Sequence, residues 1–388
     1  MKKRVRAIIK KGNAILLIHR IKKGKEYWVF PGGGIEESDT NKETALIREC
    51  KEELGVNVQV GKLFAASDFI SDNEKKCEYF YKLIKGLNIV DVIILRPTSN
   101  HKSFKKCEKI IKRLIKVRAS RNSCLISIGG GYVSDITCYT ASVYMRGIDF
   151  IQIPTTLMSM VDAVIGKVAI NFEENKNLIG SFYSPKYVFS DLNFLSTVSK
   201  KEKILGLSEV WKHGLIKRDN NIIRKIENCL SNFSDEYYSE FIHFSMKVKK
   251  DCVVSDYNDR KGKHKALSLG HTFANFLEKK TNMRHGVAVI YGIIFVAILS
   301  KILGKLSKEN YNKIIVTAKI FEKNIGLLKN IQRSLEIEEA LESFLSDKIS
   351  TNNIFNFVLP INKGLCVYKN VLKNEVVDTL IIFKNLNL

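Results

Sequence analysis

Apolar stretches at 5–9 and 14–18 lie on either side of Lys11-Gly12-Asn13. Two such stretches around a turn predict a β-hairpin. A third strand, 27–30, runs into the chain breaker Pro31-Gly32-Gly33-Gly34. Ala45, Leu46, Cys50 and Leu54 then follow helical spacing, predicting a helix over 41–54 that Gly55 stops. Stretches 56–63 and 79–84 read as further strands. Near Lys85-Gly86 the character changes. The pattern predicts a continuous buried-type strand at 89–95, a basic amphipathic helix at 104–117, and a strand at 125–128 entering Gly129-Gly130-Gly131. Strand, helix, strand, glycine turn is the order of an α/β sheet with a ligand at its strand ends. Helical patterns dominate from about residue 200 to about 350, followed by short strand-like segments.

At 388 residues the chain exceeds one domain of roughly 100–200 residues, so two or three units with real cores are expected. With 45% hydrophobic and 27% charged residues and only 5 Pro, it is neither collagenous nor disordered. Lys+Arg 63 against Asp+Glu 40 gives +23, which attracts anions from nucleic acid to sugar phosphates. No basic block is interleaved with stacking aromatics, so nucleic acid is not an expected partner. The 8 cysteines form no CxxC pair, which fits reduced thiols in a cytoplasmic protein. The basic N-terminus has too short an apolar core, 14–18, for a signal peptide. The longest apolar run, 287–299, falls short of the roughly 20 residues that cross a bilayer. It reads as a buried helix, and no membrane partner is expected.

Glu49, Glu52 and Glu53 fall at i, i+3 and i+4, so their carboxylates share one helix face. Such a face is either a solvated acidic surface or a seat for Mg²⁺, which takes hard oxygen ligands. Gly33-Gly34-Ile35-Glu36-Glu37 with Arg48-Glu49-Cys50-Lys51-Glu52-Glu53-Leu54-Gly55-Val56 resembles the signature box of the Nudix hydrolases. The resemblance implies Mg²⁺-dependent cleavage of nucleoside diphosphate derivatives, with Glu49, Glu52 and Glu53 as ligands and Arg48 as a structural partner. Asp39 or Thr40 stands where that family has Glu, and the pattern ends near residue 86. A box curtailed in this way predicts impaired or absent Nudix hydrolysis.

A second constellation begins at Gly129-Gly130-Gly131-Tyr132-Val133-Ser134-Asp135, where bare amides at a helix start can meet a pyrophosphate. In order come Tyr144-Met145-Arg146-Gly147, Gln152-Ile153-Pro154-Thr155-Thr156, and Asp162 with Gly166-Lys167 and Asn171. Lys176-Asn177-Leu178-Ile179-Gly180, Ser208-Glu209-Val210-Trp211-Lys212 and Gly270-His271-Thr272-Phe273 follow. This ordered set closely resembles 3-dehydroquinate synthase and the related sugar phosphate cyclases, from about residue 88 onward.

The resemblance implies a Rossmann-like α/β NAD-binding part at 87–197 and a mainly helical metal- and substrate-binding domain at 198–388. A partial α+β Nudix-like segment, 1–86, precedes them. Glu209, His271 and His285 would offer one oxygen and two imidazole nitrogens to Zn²⁺, or Co²⁺ in its place, leaving a position open for substrate. Lys167, Lys176, Lys212, Lys250 and Arg146 would surround phosphate and carboxylate. Gly129, Gly130, Gly131, Asp135, Thr155, Thr156, Lys102 and Asn177 match positions around NAD and substrate. The implied reaction converts 3-deoxy-arabino-heptulosonate 7-phosphate to 3-dehydroquinate with loss of phosphate, a lyase step of the shikimate pathway. A homodimer is implied as well, with Arg146 reaching toward a neighbouring subunit's site.

Departures from the family pattern are His264 for Arg, Ser268 for Asn, Asn275 for His and Ser99 for Glu, and Asp347-Lys348 keeps part of a longer motif. His264, Ser268 and Asn275 are where substrate choice would change, since neutral His does not replace a bidentate Arg. The family's opening strand and its ribose-holding acid have no counterpart, so the sheet is expected to lack a member beside the NAD crevice. The sequence also accommodates two other functions: a Mg²⁺-dependent Nudix hydrolase, and a catalytically impaired fusion that only binds ligands.

Overall fold

The computed structural model describes residues 2–11, 14–16, 18–22, 25–29, 32, 34–54, 60, 63–71, 74–82, 90–95, 102–163, 165–173, 175–255, 264–345, 354–362 and 367–388. The chain divides into two compact units, 1–159 with 163–199, and 160–162 with 200–388.

In the first unit β1 (Lys2–Lys11) pairs antiparallel with β2 (Ala14–Leu16), with Lys11 opposite Ala14, as the apolar stretches around the turn predict. A second antiparallel pair follows, β3 (Ile18–Lys22) with β4 (Lys25–Val29). Helix α1 (Lys42–Leu54) buries Ala45, Leu46 and Cys50 on one face. It begins where Asn41 and Thr44 exchange hydrogen bonds, the Thr44 amide donating to Asn41 Oδ1 and the Asn41 amide to Thr44 Oγ1. Strands β5 (Leu63–Ser71) and β6 (Glu74–Lys82) complete a sheet of order β2-β1-β6-β5. The strand expected at 56–63 lies almost wholly outside the described residues.

Segment 90–95 corrects an expectation, because it is extended but carries no ladder among the described residues. Ile93 and Leu95 pack on the core while Val90 and Ile94 stay exposed, so the apolar run serves side-chain packing without strand pairing. Beyond it, α2 (Phe104–Lys116) buries Cys107, Ile110 and Leu114 at helical spacing. Strand β7 (Cys124–Gly129) leads into α3 (Gly131–Val143), and β8 (Asp149–Pro154) runs parallel to β7. The short α4 (Leu157–Val161) precedes the antiparallel pair β9 (Val168–Phe172) and β10 (Asn175–Ser181). Strand β11 (Tyr187–Val188) adds to β8, giving the parallel order β11-β8-β7.

The second unit is helical: α5 (Lys200–Lys217), α6 (Asn220–Asn232), α7 (Tyr238–Ser255), α8 (His271–Thr281), α9 (His285–Ile302), α10 (Lys308–Ile325), α11 (Leu328–Ser334) and α12 (Ile337–Leu345). A strand pair, β12 (Phe355–Leu359) with β13 (Val367–Val371), and α13 (Lys373–Lys384) follow. Helix α9 is the axis of this unit, touching α5, α8, α10 and α13. It is long and apolar enough to cross a membrane, yet every residue from Gly286 to Ser300 is covered by protein. Phe273 stacks on Phe295 at 4.5 Å, with Phe344 and Phe383 edge-on to Phe273. Helix α13 is a second correction, since only strand-like segments were expected there. Val376, Leu380 and Phe383 bury one helical stripe, which the β-branched residues around them obscure in the sequence.

Candidate active site

Three helices of the second unit each contribute one residue: Glu209 from the middle of α5, His271 as the first residue of α8, and His285 as the first of α9. Two glycines let these helices approach. A Cβ on Gly286 would lie 2.5 Å from the Leu205 carbonyl oxygen, so α9 touches α5 one turn before Glu209. Gly270, at φ +78°, brings the start of α8 onto α9, where a Cβ would lie 2.8 Å from Gly292 and Ile293 backbone atoms. One ligand atom from each of Glu209, His271 and His285 lies within 4.8 Å of the others. The two rings meet edge-on at 5.3 Å.

Glu209 is fully buried, and among the described residues neither of its oxygens receives an aligned hydrogen bond. Lys212 Nζ stands 2.5 Å from Oε2, and His285 Nε2 is 3.4 Å from Oε1. Burial alone would push the carboxyl up; Lys212, helped by His285 and His271, overrides it and holds the group well below the usual carboxylate range. For His271 burial dominates and, with Lys212 beside it, lowers the imidazole to about 4. Its Nδ1 faces the Leu269 carbonyl at 3.2 Å, which leaves Nε2 as the free lone pair. Burial also opposes charge on His285, but Glu209 and Glu278 outweigh it and raise the group to about 10. Glu278 Oε1 holds His285 Nδ1 at 2.7 Å, the carboxylate–imidazole arrangement that orients a metal-binding histidine.

An anionic, unsatisfied carboxylate facing two imidazoles with fixed outer partners fits a divalent cation of the zinc type. His285 remains 38% exposed while Glu209 is closed off, so a further ligand has a way in from the His285 side.

In the first unit, β7 delivers Gly129-Gly130-Gly131 to the start of α3. A Cβ on Gly129 would lie 2.7 Å from the Val133 side chain, so packing demands glycine there, whereas one on Gly131 would meet only open space. The Thr155 amide donates to the Gly129 carbonyl, and Thr156 bonds Ser159. Lys102 Nζ joins Asp135 at 2.5 Å and Asn177 Oδ1 at 3.0 Å, bringing three of the expected residues together. Asn171, one of the motif residues, accepts from the Asn177 amide and holds that corner. Lys167, Lys176 and Arg146 are exposed, the last in left-handed backbone at φ 66°.

In the second unit Lys250 is exposed on α7, while its neighbour Lys249 turns inward to pair with Asp162 at 2.7 Å. Ser268 is half-buried and Asn275 exposed; His264 offers no described side chain, and Ser99, Asp347 and Lys348 lie outside the described residues. His213, one turn beyond Glu209, is fully buried with both nitrogens unpartnered among the described residues, and burial, with Lys212 beside it, lowers it to about 3.

At the N-terminal box Arg48 is the hub. It reaches both Asp39 oxygens at 3.1 and 2.9 Å, the Gly34 carbonyl at 2.9 Å, and Glu49 and Glu52 at 3.3 Å. Asp39 rather than Thr40 is therefore the acid that meets Arg48, and Arg48 in turn holds the Asp39 carboxyl below its ordinary value. Glu49 and Glu52 share this guanidinium; the Glu53 side chain is outside the described set.

Sequence families described as 3-dehydroquinate synthase N-terminal and C-terminal match residues 92–205 and 206–350, and a NUDIX domain matches 1–98. The 3-dehydroquinate synthase of Campylobacter concisus is 36% identical over 301 residues, covering 76% of this chain and 84% of its own. That of Helicobacter pylori strain G27 is 33% identical, covering 75% and 82%. Among solved structures, a 2-epi-5-epi-valiolone synthase from Streptomyces hygroscopicus with NAD⁺ and Zn²⁺ bound aligns at TM-score 0.66 and 19% identity, over 79% of this chain and 84% of that one. A 2-deoxy-scyllo-inosose synthase complexed with carbaglucose-6-phosphate, NAD⁺ and Co²⁺ aligns at 0.64 and 21%, over 78% and 82%. Both show the fold: an α/β nucleotide-binding part followed by a mainly helical one. Identity of 36% sustained over 84% of a relative's length places this chain in the 3-dehydroquinate synthase family, behind an N-terminal Nudix-domain match.

Proposed function

We propose that this chain is a phosphate-eliminating sugar phosphate cyclase that uses NAD⁺ and Zn²⁺ to convert 3-deoxy-arabino-heptulosonate 7-phosphate to 3-dehydroquinate. The observation that carries the reading is the buried, unsatisfied Glu209 carboxylate converging with His271 and His285. In this reading 87–197 carries the nucleotide and 198–388 the metal, behind a curtailed segment at 1–86. The protein works in the cytoplasm as a homodimer; the described cysteine side chains are free thiols, in keeping with that compartment.

When bound, zinc supplies a Lewis acid for the carbinol and aldol oxygens, and NAD⁺ supplies a hydride acceptor that is restored within each turnover. Glu209, His271 and His285 hold the metal, and Glu278 fixes the His285 tautomer. Lys212, 2.5 Å from Glu209, is freed toward a substrate anion once a cation takes over that carboxylate. Lys167, Lys176, Lys250 and Arg146 bind phosphate and carboxylate. Gly129, Gly130 and Gly131, with Thr155 and Thr156, seat the pyrophosphate at the start of α3. Lys102, Asp135 and Asn177 form the polar corner beside it.

Purified protein given the heptulosonate phosphate, NAD⁺ and Zn²⁺ should release inorganic phosphate; release no greater than in a chelator-stripped sample would sink the reading. Glu278→Gln should weaken zinc binding by about 10- to 100-fold in chelator competition while the fold persists. Unchanged affinity would remove Glu278 from the site.

A second activity is favoured by the NUDIX match at 1–98 and by the network centred on Arg48. It predicts weak Mg²⁺-dependent hydrolysis of a nucleoside diphosphate sugar, because Glu49 and Glu52 are drawn onto Arg48. That hydrolysis should vanish in Glu52→Gln, and turnover unaltered by the substitution overturns this activity.

A further inference from the structure

Helix α5 has two working faces. Glu209, Lys212 and His213 lie at i, i+3 and i+4 on one, and Trp211, Leu215 and Arg218 lie on the other, at about 100° per residue. The second face backs onto a hollow of about 520 Å³ within the second unit, lined also by α6, α10 and Pro360-Ile361 and open to solvent on one side, where Val316 is exposed. This volume falls within the range of about 300–1,000 Å³ typical of small-molecule sites. None of its lining residues belongs to the proposed metal or nucleotide site.

Apolar lining comes from Leu215, Ile223, Leu306, Ile314 and Pro360, with Trp211 closed off beneath the surface, and Asn220, Asn310, Asn312 and Thr317 add neutral polar groups. The charged lining comprises Arg218, Arg224 and Lys313 against Glu227 and Glu309, which leaves one positive charge uncompensated. Lys313 is taken by Glu309 at 2.6 Å, and Glu227 accepts from Thr317 Oγ1 at 2.5 Å. Arg218 and Arg224 have no side-chain partner among the described residues. Exposed arginines abound on a chain of net charge +23; these two flank an apolar hollow.

We propose that this cavity binds a small amphipathic monoanion, with an aromatic or branched hydrocarbon body and one carboxylate. The hydrocarbon lies on Leu215, Ile223 and Ile314, and the carboxylate meets Arg218 and Arg224.

The test is calorimetric titration of the full chain with 3-phenylpropionate and with its neutral amide. The carboxylate should bind saturably at one site, at least about tenfold tighter than the amide, as a charge-assisted hydrogen bond provides. Arg218→Gln/Arg224→Gln should erase that preference. Val316→Trp, at an exposed position of the lining, should block both probes without altering charge. Three outcomes overturn the proposal: no saturable uptake, equal uptake of acid and amide, or carboxylate binding that survives both variants. Concentration-dependent self-association that is lost in Val316→Trp overturns it too, by assigning the hollow to a second copy of the chain.

Discussion

Glu209→Ala should purify without zinc, lose phosphate release and unfold at lower urea than the parent protein. Losing the Lewis acid removes several kcal/mol of transition-state stabilisation, on the order of 10³-fold in rate. The stability loss has a separate origin. The Lys212 side chain is 3% exposed and its counterion is Glu209 at 2.5 Å, so the substitution strands a buried ammonium. Removing one partner of a buried pair costs about 3–5 kcal/mol. Glu209→Ala/Lys212→Met removes the stranded charge, and its urea midpoint should recover while zinc content and turnover stay lost. Full zinc occupancy in Glu209→Ala, or a double variant as unstable as the single one, contradicts this account of the site.

Gly286→Ala should prise apart two of the helices that carry the metal ligands. Its Cβ would lie 2.5 Å from the Leu205 carbonyl oxygen and 2.8 Å from Leu205 Cβ, where backbone cannot step aside. Helices α5 and α9 must part, at about 1–3 kcal/mol for overpacking. They carry Glu209 and His285, so the separation opens the ligand set; a displacement near 1 Å costs about 10²-fold in turnover. Gly214→Ala on α5 is the control, because the nearest atom to its Cβ is a side-chain one, Ile223 Cγ1 at 3.2 Å, and the others stand at 3.6 Å or more. Equal zinc affinity in the two variants would show that helix spacing does not set the site.

What could be read from the chain beforehand was whatever is local. The turn at Gly129, the buried run within α9 and the stripe Cys107, Ile110, Leu114 are visible as short-range patterns. The metal ligands were legible through family resemblance, since nothing in the spacing of Glu209, His271 and His285 makes them meet. Their meeting depends on Gly270 and Gly286, whose importance lies in what stands opposite them. Glu278 was missed although it lies on the same helix as His271, two turns on, because an acid on a helix is ordinary until its partner is seen. Inward Lys249 and outward Lys250 are adjacent and of one type, so only packing tells them apart. At 90–95 the hydrophobicity was real but belonged to side-chain packing, and the β-branched content of α13 mimicked a strand.

Helix α13 carries a genetic consequence. Its Phe383 ring lies 5.0 Å from Phe273, two residues after His271, and Gln332 ties the helix down through the Phe383 and Leu386 carbonyls. A nonsense codon at Lys373 would therefore hollow out the floor under His271 from a hundred residues away. Such an allele would look, to anyone screening it, like a defect in metal uptake.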